Sequence, residues 1–169
     1  MDKLIITDDP QQSTDIELYQ IYVAMTKEQL LKIAKKLDLW VSPNYSKQKT
    51  AEMLADQVLD SPIEVVTRLA KTELELLDEL VKAGANGSAS RKMRKTNYML
   101  QKLGLVVTYS DRDKQQWKMF MPDEVRDALS PVYGQFHDLA QKGIKRPTAK
   151  EIRLMGVLND LFGTNGENK

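Results

Sequence analysis

Tyr98-Met99-Leu100-Gln101-Lys102-Leu103-Gly104-Leu105-Val106-Val107-Thr108-Tyr109 is the stretch on which the fold turns. Up to Leu103 it reads as the end of a helix. Gly104 lets the chain leave that helix with positive φ. Beyond it the apolar period drops from 3.6 to 2, as Leu105, Val107 and Tyr109 alternate with Val106 and Thr108. Asp111-Arg112-Asp113-Lys114 is then a polar turn, and Trp117, Met119 and Met121 alternate with Lys118 and Phe120. Two alternating runs around a short polar break predict a β-hairpin.

Upstream, the pattern is helical. The hairpin is preceded by an expected helical stretch from Ser90 to Leu103, in one piece or broken near Thr96. Before that comes the small-residue turn Ala85 to Ala89. Leu74, Leu77, Leu80 and Val81 form the buried stripe of a helix opened by a Thr72/Glu75 capping box and stopped by Gly84. Further capping boxes at Thr14/Glu17 and Thr26/Gln29 open helices over 14–24 and from 27 to about Asp38, with a strand as the alternative for the first. Leu39 to Tyr45 is an extended connector. Ser46 caps a helix carrying Ala51, Leu54, Ala55, Val58 and Leu59, and Pro62 opens a short one. Downstream of the hairpin, Pro122 opens a helix through Leu129 and Pro131 opens another, stopped by Gly143. Thr148/Glu151 caps the last helix, which carries Ile152, Met155, Leu158 and Leu161.

The expected fold is therefore mainly α with one β-hairpin. Residues 1–13 form a flexible leader, 14–70 a helical N-terminal module, 72–129 the hairpin-bearing domain, 130–162 a C-terminal helical pair and 163–169 a flexible tail. The connector Lys71-Thr72 is too short for a flexible linker, so the two modules are open to sharing one core.

Composition excludes much chemistry. The 169 residues contain no cysteine and a single histidine, His137. Disulfides, thiol nucleophiles, Cys-based metal sites and two-His clusters are thereby removed. No Gly-rich phosphate loop, nucleotide fingerprint or nucleophile elbow is present, and the acids are scattered. The chain reads as a non-enzyme without metal or cofactor. The apolar runs are too short to span a membrane, and the N-terminus lacks signal-peptide character, so a cytoplasmic location is expected.

The formal net charge of +1 conceals segregation. Residues 1–79 carry 9 basic and 15 acidic side chains, net −6, and residues 111–169 carry 10 and 9, net +1. Between them, Lys82, Arg91, Lys92, Arg94, Lys95 and Lys102 occupy 80–110 with no acid at all. Such a block suits an anionic partner, whether nucleic acid or an acidic protein, and a merely solvated face has the same pattern.

The order helix, Gly turn, helical pair, Leu-Gly-Leu-Val-Val, hairpin, helix over residues 72–129 resembles a winged helix-turn-helix. Met25 to Leu39, the extended loop and Ser46 to Leu54 are similar to SAP-type and Rho-N-terminal-like helix–loop–helix modules. Leu39 to Tyr45 departs from them in lacking glycine and containing Trp40 and Pro43. The first resemblance implies a helix in the major groove with Arg91, Lys92, Arg94 and Lys95 on phosphates, Asn97 and Gln101 at base edges, Lys102 flanking, and Arg112 and Lys114 at the wing tip. The second implies that Lys47 and Lys49 meet backbone.

For Tyr98, core packing competes with base contact. Trp40 and Tyr45 are candidates for base stacking, with Trp40 favoured instead as a plug in the core. The function expected is non-catalytic nucleic-acid binding, to DNA and associated with transcription. The alternative is a protein–protein adaptor on the same scaffold. A homodimer through the last helix fits the first reading.

Overall fold

The computed structural model describes the backbone of residues 6–7 and 13–162, and the side chains of 13–155. Within this range the protein is mainly α-helical with one small sheet.

Several local signals act as written. Thr26 Oγ1 accepts the Gln29 N–H at 3.1 Å while Gln29 Oε1 accepts the Thr26 N–H at 3.0 Å, closing the capping box of α2 (Lys27–Lys36). Ser46 Oγ accepts the Lys49 N–H at 3.1 Å and starts α3 (Lys47–Asp60). Pro62 is the first residue of α4 (Pro62–Val66), and α5 (Lys71–Ala83) ends at Gly84 with φ +71°.

Other starts move. The first helix, α1 (Leu18–Val23), is opened by Glu17 with Gln20 and not by Thr14. Thr14 is buried and joins distant segments: its Oγ1 donates to Asp123 Oδ1 at 2.6 Å and accepts the Asn86 N–H at 2.8 Å. With those bonds made to residues far along the chain, it is not available as a cap. At α5 the N-cap is Ala70, so Thr72 already lies inside the helix.

The main correction falls on residues 90–103, expected to be helical. Ala89–Lys92 is instead a strand, β2, and the helix is confined to Met99–Lys102, α6. The hairpin forms as expected, from β3 (Val107–Asp111) and β4 (Gln116–Phe120). β4 has an unpaired side, and β2 fills it: Ala89 pairs with Met119, Arg91 with Trp117 and Lys92 with Gln116. Tertiary pairing thus overrides the charged, helix-compatible composition of this segment. A two-residue strand in the expected leader, β1 (Ile6–Thr7), pairs in parallel with β3, giving the order β1-β3-β4-β2. The rest of the leader and the tail 163–169 lie outside the described residues.

The two helices expected around Pro131 are one, α7 (Asp123–Gln141). Val125, Leu129, Tyr133, Phe136 and Ala140 make an unbroken buried stripe through it, while Pro131 is exposed. Packing of that stripe outweighs a cost of about 3 kcal/mol for an interior proline. The expected C-terminal pair is thus the second half of α7 followed by α8 (Ala149–Phe162). One hydrophobic cluster runs from Leu18 to Ala140. α7 is its centrepiece, packing on α3, α4 and α5, so residues 14–70 and 72–129 share a core.

Candidate nucleic-acid interface

Strand alternation sorts the basic residues of β2 onto opposite faces of the sheet. Ala89, Met119 and Thr108 form one cross-strand row, and Arg91, Trp117 and Ser110 the next, on the face that packs toward α5. Arg91 there donates to Glu79 Oε1 of α5 at 2.9 Å. The opposite face carries the rows Ser90–Lys118–Tyr109 and Lys92–Gln116–Asp111. Lys92 and Lys118 are therefore diagonal neighbours on one face, a relationship that spans about 7–8 Å.

Arg94, although exposed, is held by three contacts. Its Nε donates to the Thr96 carbonyl at 2.7 Å, its guanidinium carbon sits 3.6 Å from the Tyr98 ring centre, and Nη2 lies 3.7 Å from Glu73 Oε2. Glu73 is buried, and its other oxygen accepts the Leu100 N–H at 3.3 Å. A carboxylate removed from water needs such partners. Arg94 is therefore the counter-charge of an internal acid. Tyr98 is buried edge-on against Trp117, ring centres 6.3 Å apart, so core packing is its role.

Gln101 is corrected as a base reader. It is 2 % exposed, its Oε1 accepts the Tyr98 N–H at 2.8 Å, and its Nε2 donates to Thr108 Oγ1 at 3.1 Å. Asn97 is half-buried in the loop before α6, and Lys102 is half-buried at the end of that four-residue helix. No extended helix carries these residues, so the major-groove geometry expected of them is absent from this segment.

Lys92 and Lys95 are exposed and have no acidic partner among the described residues. Arg112 and Lys114 are exposed in the β3–β4 turn, where Gln115 takes φ +53° and Asp111 Oδ1 accepts the Lys114 N–H at 3.2 Å. Lys118, half-buried, approaches the Phe120 ring at 5.6 Å. It was passed over in the sequence, although the alternation of Trp117 and Met119 already put it on the outer face.

Lys47 and Lys49 are exposed in the first turn of α3. That helix packs on α1, α2, α4 and α7, whereas β2 packs on α5 and β4. No hydrogen bond, ion pair or ring contact links the two lysines to the sheet among the described residues.

The expectation for Trp40 is overturned. The indole is 73 % exposed, while its backbone carbonyl accepts from Gln57 Nε2 at 2.9 Å. In the last helix, Ile152 packs on the core and Met155 is exposed beside Leu154. The side chains of Leu158 and Leu161 lie outside the described residues. Among the described residues no helix is long and apolar enough to cross a membrane.

No family model, no curated protein and no solved structure matches this chain.

Proposed function

We propose that this protein is a non-catalytic nucleic-acid-binding protein that holds duplex backbone on its β-wing. The observation that carries the reading is the division of labour among its cations. Arg91 and Arg94 are matched to Glu79 and Glu73. Lys92, Lys95, Lys118, Arg112 and Lys114, on the outer face, the following loop and the turn, have no acidic partner among the described residues. Cations left unmatched by their own fold are available to phosphates. Without a long recognition helix, such contacts favour backbone over sequence.

The test is fluorescence anisotropy of labelled duplex DNA across a salt series. If each of the five neutralises one phosphate, log K falls with log salt at a slope of about −4 to −5. Changing Lys92, Lys95 and Lys118 together to Glu flattens that slope by about 3. Absence of salt-dependent binding, or a slope indifferent to the substitutions, overturns the reading. The adaptor reading draws on a different observation, the exposed Trp40.

A further inference from the structure

α2 buries Leu30, Ile33 and Ala34 and leaves Leu31 half-buried and Lys35 exposed. Two depressions flank that outer side. One, of about 460 Å³, lies between α2 and Pro43, and the other, of about 330 Å³, ends at Trp40. Leu31 and Lys35 line both, so they form one surface running from Pro43 across Leu31 to the indole.

The loop that frames this surface is held in place. Gln57 Nε2 binds the Trp40 carbonyl, and Lys27 Nζ binds the Pro43 carbonyl at 2.5 Å. The Trp40 side chain is thus presented by an anchored backbone. An aromatic ring of this size gains heavily from burial, and Trp is the residue type most enriched at binding hot spots.

Charge selects the occupant. The two acids on the rim are matched internally, Glu28 to Lys32 at 3.8 Å and Asp38 to Arg153 of α8 at 3.5 Å. Lys35, central to the surface, has no acidic partner among the described residues. We infer that the Trp40–Leu31–Lys35 surface docks an acidic segment of a partner protein that carries large aliphatic side chains. The walls, Leu31, Ala34 and Pro43 with a single indole, suit aliphatic knobs better than a row of stacked bases. This goes beyond the wing reading and stands independently of it.

The probe is a synthetic peptide of glutamate with leucine at i, i+3, i+4 and i+7, lacking aromatic residues. Trp117 is buried, so a shift of tryptophan emission on titration reports Trp40. The expected result is a saturable blue shift. By anisotropy of the labelled peptide, Trp40→Ala and Lys35→Glu each weaken binding about tenfold or more. Both positions are exposed, so the helical signal is expected to persist, and Leu31→Asn serves if either variant unfolds.

The inference is overturned by no saturation up to about 1 mM peptide. It is equally overturned by binding that survives the substitutions, or by a lysine-for-glutamate peptide binding as well. Displacement of the peptide by single-stranded oligonucleotide at lower concentration would assign the surface to nucleic acid instead, and a Trp40-dependent self-association on sedimentation would assign it to a second copy.

Discussion

Arg94 lies with its guanidinium carbon 3.6 Å from the centre of the Tyr98 ring and its Nη2 3.7 Å from the buried carboxylate of Glu73. The strongest-looking basic motif in the chain, Arg91-Lys92-Met93-Arg94-Lys95, is therefore divided: its arginines are paired with acids of α5 and its lysines have no acidic partner among the described residues. Arg94→Ala is expected to cost about 1–3 kcal/mol in urea denaturation, because Glu73 loses its counter-charge. Arg91→Ala, at a more exposed pair, is expected to cost no more than about 1 kcal/mol. Lys92→Glu and Lys95→Glu are expected to leave the urea midpoint in place. A destabilisation by the lysines equal to that by Arg94 would refute the division.

The bond between Thr14 and Asp123 is an acid-sensitive link in the fold. The Thr14 hydroxyl first, and then Arg126, hold the Asp123 carboxyl below its ordinary value. A carboxylate whose folded-state pKa is depressed stabilises the fold above the ordinary carboxylate range, and that contribution is lost as pH falls through the folded value. Thr14→Val is expected to move the acid-unfolding midpoint, followed by circular dichroism, to higher pH. At neutral pH it is expected to cost about 1–2 kcal/mol, since the Asn86 N–H also loses its acceptor. An unchanged acid midpoint would remove Thr14 from this role.

At the alkaline end, burial first and then the bond to Asp78 push the Tyr133 hydroxyl up to about 12. A raised folded value means stability that is full below the ordinary tyrosine range and declines as pH rises through about 12. Tyr133→Phe is expected to flatten that decline between pH 10 and 12, read from urea midpoints against pH.

Gly104 is fixed by two constraints at once. Its φ is +71°, and a Cβ there would stand 2.9 Å from Tyr22 Cε1. Tyr22 is fully buried with its hydroxyl donating to the Leu103 carbonyl at 2.9 Å, so it has little room to retreat. Gly104→Ala is expected to cost about 1–3 kcal/mol, a combination of left-handed backbone and overpacking. A thermal midpoint within a degree or so of the parent protein would contradict it.

Pro131 offers the opposite sign. It sits exposed within α7, where it removes one helix hydrogen bond. Pro131→Ala is expected to stabilise by about 1–3 kcal/mol, if the local backbone relaxes to regular helix. A loss of stability would show that the packing of α7 requires the proline.

What the sequence determined by itself is the set of elements governed by neighbours along the chain. Thr26 with Gln29, Ser46, Pro62, Gly84 and Gly104 each act on backbone within a few residues, so helix ends could be read wherever the local partner was free. The hairpin was legible because alternation at period 2 is a property of one segment. The tertiary structure decided everything that depends on a distant partner. Ala89–Lys92 became a strand because β4 had an unpaired side, and Thr14 lost its capping role because Asp123 and Asn86 took its hydrogen bonds. α7 ran through Pro131 because its buried stripe is continuous across it. Gln101 was drawn into the core by Thr108, and Trp40 was turned out while its backbone was held. The basic block itself was plain in the sequence. Which of its charges are spent inside the fold was set by Glu73 and Glu79, acids on a helix that only tertiary packing brings beside them.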